Sequence, residues 1–286
     1  MSRRGLVTGL AVAVLAAALL VATWIRQAGP GTAPTVTDAL PGGAAPSAEG
    51  AALAMQGNAT TWGVPDGDAR RALMQRYATE LDEDVRGALL AELQRHPDDE
   101  LRDFALELVS GGDAATRLRG YDLLAAFPLD AAEVRDAVLA GLGNERDPQV
   151  LAQVVGLAVP TVLPASDTEP MADALQALTS HRDPDVRARS VVHAAQWAEP
   201  EQARQLLTRA ILDESPQVRH AAIAGVIATR AHSPQLKEAL LWTASDAGTS
   251  DEQRAAAVFA LQWYRLDDKE YAIYRQAERD TGGHAH

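Results

Sequence analysis

The chain has 286 residues, a formal charge of −13 at pH 7 and no cysteine. The missing cysteines exclude disulfides, thiolate metal sites, cysteine nucleophiles and a lipid-modified N-terminal cysteine. The acid excess repels polyphosphate backbones and argues against a nucleic-acid partner; its plain account is a solvated surface.

In chain order, Arg3 and Arg4 precede an uncharged run from Gly5 to Ile25 that Arg26 closes. At about 1.5 Å per residue this run extends roughly 31 Å, the thickness of a hydrocarbon core, and predicts a single transmembrane helix within residues 1–26. The competing reading is a cleaved signal peptide and release to the periplasm. The apolar region of such a peptide is shorter, and Thr23-Trp24-Ile25-Arg26 has the makeup of an interfacial anchor. Two arginines on a very short N-terminal tail favour a cytoplasmic N-terminus. The rest of the chain is then expected in the periplasm, anchored to a bacterial inner membrane. Gly5, Gly9 and Ala13 form a small-residue stripe along which two spans could pair as a homodimer, although so alanine-rich a helix yields such a stripe by chance equally well.

Residues 27–65 are a Pro/Gly/Ala-rich linker. Their composition cannot bury a core, and a flexible chain of that length reaches about 35 Å.

From residue 66 the pattern turns helical, and no segment reads as β. Pro170, Pro184, Pro200, Pro216 and Pro234 recur every 14 to 18 residues, each predicted to open an amphipathic helix. Proline suits the first helical position because its missing N–H would be unpaired there. Asp147, Asp183, Ser215 and Ser233 stand just before a proline as capping residues. A basic row keeps the same beat: Arg86, Arg102, Arg119 and Arg135, then Arg187, Arg204, Arg219, Lys237 and Arg254. A cation in the first turn opposes the helix dipole. Upstream acids offset this, and a ladder between repeats is expected from Arg86, Arg102, Arg187 and Arg219 with Asp183 and Asp213. Leu151 stands where the row calls for arginine, and Val159 to Pro164 interrupts the array, so a break or bend is expected there. The predicted blocks are 66–158 and 165–280, with a disordered tail over 281–286.

Asp82-Glu83-Asp84-Val85-Arg86, Asp183-Pro184-Asp185-Val186-Arg187 and Ser215-Pro216-Gln217-Val218-Arg219, each followed by small and apolar residues, resemble the HEAT-repeat pattern, nearest to the bacterial HEAT-like repeats of the phycobilisome-lyase type. The resemblance covers roughly residues 66–280. It implies an all-α solenoid of stacked antiparallel helix pairs, an Asp/Arg ladder between repeats and a protein-binding role. In such an array each repeat touches only its neighbours.

Signatures of chemistry are missing. No histidine is followed by glutamate, as the di-iron enzymes built on similar repeats require, and His96, His181, His193, His220 and His232 each lack a helical metal-site partner. Gly-x-Ser-x-Gly and phosphate-cradling loops are absent. The expectation is therefore no catalytic residue, no cofactor and no metal.

Aromatic residues crowd the last third. Trp242, Trp263, Tyr264, Tyr271 and Tyr274 are read as either partner contacts or a cap closing the last apolar face, with Trp242 and Phe259 at core positions. The function expected is a non-enzymatic interaction scaffold or adaptor for an envelope protein. The alternative is a lyase or maturation factor gripping a cofactor or modified polypeptide in the solenoid groove.

Overall fold

Capping side chains and prolines decide where the helices begin. A computed structural model describes residues 67–282, which form thirteen helices and no strand among the described residues. They are α1 (Gly67–Thr79), α2 (Glu83–Leu93), α3 (Asp99–Val109), α4 (Ala114–Leu124), α5 (Ala132–Asn144), α6 (Pro148–Leu157) and α7 (Ala165–Leu178). There follow α8 (Pro184–Trp197), α9 (Pro200–Ala210), α10 (Pro216–Thr229), α11 (Pro234–Ser245), α12 (Asp251–Leu261) and α13 (Asp268–Gly282). Residues from Arg71 onward form one compact unit, and the packing described here lies within it.

Asp82, Asp98, Asp113, Asp147 and Asp183 each accept backbone N–H bonds from the first turn of the helix they precede. Each such cap contributes about 1 kcal/mol. Pro148, Pro184, Pro200, Pro216 and Pro234 open their helices. Pro170 departs from the expectation, because it lies inside α7, which starts at Ala165. Its missing N–H leaves the carbonyl of Ser166 without a helical donor, and Ser166 is exposed to solvent.

Helices pack against their sequence neighbours and against the helix two places on, as α8 does with α9, α10 and α6. Contacts between first turns set the direction. Arg187 of α8 bonds Asp213, just ahead of α10, and Gln253 Nε2 of α12 donates to the Pro216 carbonyl at 2.6 Å, at the start of α10. Alternate helices therefore run parallel with antiparallel helices between them, an α-solenoid of stacked pairs. The N-termini of the even-numbered helices lie at one end of the layer and those of the odd-numbered helices at the other.

The buried cluster runs from Met74 to Ala277 with leucine, valine and alanine at its centre; a fully buried aliphatic side chain contributes about 1.5–3 kcal/mol. It continues across the interruption. Residues 158–164 are non-helical, yet α5 packs on α7 and α6 on α8, so the loop breaks the helical order and leaves the packing intact.

The apolar run 5–25 and the linker 27–65 lie outside the described residues. No helix among the described residues is long and apolar enough to cross a membrane. Of the tail expected over 281–286, Thr281 and Gly282 end α13, and the rest lies outside the described residues.

Candidate functional site

The fourth residue of α2, α3, α4, α5, α8, α10, α11 and α12 is basic: Arg86, Arg102, Arg117, Arg135, Arg187, Arg219, Lys237 and Arg254. In the even-numbered helices the guanidinium folds back over its own N-terminus. Arg117 Nη1 donates to the Gly111 and Gly112 carbonyls at 3.3 and 3.2 Å. Arg187 Nη1 donates to those of His181 and Arg182 at 2.9 and 3.1 Å, and Arg219 Nη1 to those of Asp213 and Glu214 at 2.9 and 3.0 Å. Arg86 repeats the arrangement loosely, at 3.4 and 3.5 Å from the Glu80 and Leu81 carbonyls. Loop carbonyls thus offset much of the unfavourable dipole term that the sequence assigned to carboxylates.

Two of these arginines also reach the next repeat. Arg117 Nε and Nη2 fork onto Glu145 at 2.7 and 2.9 Å, and Arg187 Nε and Nη2 onto Asp213 at 3.2 and 3.0 Å. Paired guanidinium–carboxylate bonds are among the stronger hydrogen bonds. Glu145 accepts the N–H groups of Arg146 and Asp147 as well, and Asp213 that of Ser215, so each rung also shapes the loop that launches the next even helix. The Arg117 bonds, foremost, hold the Glu145 carboxyl down at about 2. Burial works to raise Asp213, but the Arg187 bonds and the Ser215 N–H outweigh it and leave that carboxyl below its usual value. At the other end of the layer Arg135 pairs with Asp167 at 3.1 Å and Lys237 with Glu270 at 2.6 Å.

Other residues expected in the ladder do different work. Asp183 caps α8 instead of meeting a neighbouring arginine. Arg102 pairs with Asp99 and Asp103 of its own helix. Arg86 and Arg219 have no carboxylate fork. Arg119, counted in the row, donates to the Ala78 carbonyl and to that of Glu80 at 3.0 Å, at the end of α1. The rung residue of that repeat is Arg117, and counting four places from the Asp113 cap finds it where counting in sixteens does not.

At Leu151 the row is interrupted. Leu151 is 2% exposed and forms, with Ala152 and Val186, a small apolar cluster apart from the main core. A cavity of about 480 Å³ opens beside it, between the loop that precedes α6 and the loop that precedes α8. Leu142, Leu151 and Leu178 supply its apolar wall, with Arg146, His181 and Arg182 around its edge. The Asp183 N–H donates to His181 Nδ1 at 3.1 Å, so the ring hydrogen sits on Nε2. Arg146 Nη1 rests on the Gly143 and Glu145 carbonyls at 3.4 and 3.2 Å.

The aromatics divide. The Tyr264 hydroxyl donates to the Ala231 carbonyl at 2.9 Å, and Tyr264 and Tyr274 pack on the core as part of a cap. Tyr271 stacks on Tyr274 with centroids 6.0 Å apart and is itself exposed. Trp242 and Phe259 correct the core expectation: they are 54% and 48% exposed. Within the apolar run Leu240-Leu241-Trp242 it is the two leucines that face inward, and Val258, Ala260 and Leu261 take the inner positions around Phe259. Phe259 stands edge-on to the solvent-facing Trp263, with centroids 5.0 Å apart and planes at 82°.

Among the described residues no group of three potential metal ligands is gathered. No family model matches this sequence, and no curated protein matches it. Among solved structures the chain is similar to one in the crystal structure of Kap121p bound to Ste12p, at 15% identity and a TM-score of 0.47. The match covers 76% of this chain and 29% of that one, so the chain spans less than a third of its structural neighbour.

Proposed function

We propose that the chain is a non-enzymatic protein-binding scaffold, held by residues 5–25 to a bacterial inner membrane with its helical stack in the periplasm. The observation that carries the binding role is the Phe259–Trp263 pair, two large aromatic side chains in contact with each other and open to solvent. Rigid aromatics of this kind dominate protein interfaces, because they remove much apolar area from water with little loss of side-chain entropy. The placement rests on the arginines before the apolar run and on its length.

Crosslinking in intact cells followed by purification from membranes tests the binding role. One reproducible protein partner is expected, lost in the double variant Phe259→Ala and Trp263→Ala, whose helical content by circular dichroism stays that of the parent. An unchanged partner band in that variant refutes the aromatic surface. Protease added to spheroplasts should cut the helical stack without lysis; cleavage only after lysis refutes the periplasmic placement.

A further inference from the structure

The interrupted rung changes the chemistry of one place on the stack. In the rungs before and after it, an arginine fills the space between successive even-helix loops and donates to the carbonyls of its own loop. At α6 that arginine is Leu151, and a cavity of about 480 Å³ remains, within the size range of binding pockets. Its wall is apolar. Its edge carries Arg146 and Arg182, both exposed and neither in an ion pair among the described residues, and the donor Nε2–H of His181. The one carboxylate there, Glu145, is already engaged by Arg117 and two backbone N–H groups. A chain with a formal charge of −13 thus presents an apolar hollow with a cationic rim.

We infer that this hollow between the α6 and α8 loops is a docking site for an acidic peptide segment of a partner protein, one aliphatic side chain filling the place of the missing guanidinium while flanking carboxylates meet Arg146, Arg182 and His181. Charge complementarity selects the carboxylates, since acids elsewhere on this acidic surface repel them. The exposure of both arginines selects a peptide over a small free acid. Small-molecule sites bury most of the ligand together with its polar anchors, whereas here the donors stand at the surface, where a strand lies across the opening and inserts one side chain. The inference rests on the scaffold reading only for the kind of occupant and concerns a surface separate from Phe259 and Trp263.

The test is fluorescence anisotropy on the purified full-length chain in detergent. The probe is a labelled, end-blocked Asp-Glu-Leu-Asp-Glu peptide, with Asp-Glu-Gly-Asp-Glu and Lys-Lys-Leu-Lys-Lys as controls. Binding of the leucine peptide is expected to weaken with salt, to fall at least tenfold for the glycine control and to vanish for the cationic one. Leu151→Arg restores the side chain that the equivalent position of α8 holds at similar burial, fills the hollow and should lower affinity at least tenfold. Arg182→Glu, an exposed change that leaves the fold alone, should do the same, while Arg209→Glu on α9 should not. Equal binding by the parent and Arg182→Glu, or by the leucine and glycine peptides, overturns the inference. So does a concentration-dependent dimer that Leu151→Arg abolishes, which would give the hollow to a second copy. Failure here with partner capture through Trp263 intact removes this site and leaves the scaffold reading; the converse removes the aromatic surface alone.

Discussion

His193 and Trp197, one turn apart on α8, donate to a single acceptor, the Ala158 carbonyl at the end of α6, at 3.1 and 2.8 Å. The acceptor has two lone pairs and both are used. These bonds fasten α6 to α8 where the chain leaves helix for residues 158–164, which is why the interruption costs the stack none of its packing. A carbonyl only accepts, so His193 carries its hydrogen on Nδ1.

The same imidazole makes stability depend on acidity. Burial, aided by the Arg189 charge and opposed by the Ala158 bond, pushes His193 down to about 4 from 6.5. With the folded value below the unfolded one, the contribution is complete above pH 6.5 and is lost as the pH falls from 6.5 to about 4. The residue as a whole keeps some exposure, so the loss is on the order of 1–2 kcal/mol. Urea midpoints at pH 7.5, 5.5 and 4.5 should fall for the parent and fall less for His193→Gln; parallel curves refute the assignment.

Arg187→Ala should be the costly member of the arginine row. Its side chain is 10% exposed and meets two carbonyls and a forked carboxylate, so removal strands Asp213 and costs about 2–4 kcal/mol. Arg219 meets carbonyls alone, and Arg219→Ala should cost about 1 kcal/mol. Arg230→Ala, at an exposed helix end, should be near neutral. Urea unfolding of the three variants side by side gives the order, and equal midpoints refute it.

Arg230 has φ 52° and ψ 37° at the end of α10 and is the one non-glycine residue with positive φ among the described residues. Glycine takes this conformation without the β-carbon clash. Arg230→Gly should therefore stabilise the protein by up to about 1 kcal/mol, seen as a raised melting temperature; a lowered one would show that the arginine side chain contributes more than the backbone strain.

Two glycines should respond in opposite directions to alanine. A β-carbon at Gly120 would lie 2.5 Å from Val109 N and 2.8 Å from the Ala105 carbonyl, so α3 and α4 must separate at a cost of about 1–3 kcal/mol. Gly87 in α2 has nothing within 4 Å, and Gly87→Ala should gain about 0.5–1 kcal/mol from helix propensity. Denaturant midpoints moving the same way in both variants would contradict the packing described for Gly120.

Local signals carried the helices well, because a capping side chain and a following proline act within one turn and need no tertiary partner. Pro148, Pro184, Pro200, Pro216 and Pro234 all open helices. Pro170 departs because the helix already starts at Ala165, directly after Pro164, five residues upstream. The rungs were legible only in part. An arginine at the fourth helical position is visible in sequence, whereas its acceptor is chosen by which loops the stack brings together. Glu145 and Asp213 hold equivalent places, three residues before Pro148 and Pro216, whereas Asp183 stands directly before Pro184 as a cap. Trp242 and Phe259 lie in continuous apolar runs, where a 3.6-residue period fits more than one face. The hollow at Leu151 was visible only as a missing arginine, since its cationic edge comes from two loops 36 residues apart, at Arg146 and Arg182.

The pairs at the two ends of the helix layer restrain different motions. Arg135–Asp167 rivets α5 to α7 at the odd end, while at the even end no arginine spans from α6 to the loop before α8. Apolar contacts of Leu151, Ala152, Leu178 and Val186 hold the two elements together there, and such contacts weaken gradually with distance, whereas a forked ion pair gives way abruptly. The two ends of the layer around Leu151 are therefore held by different forces, an ion pair at one and apolar contact at the other.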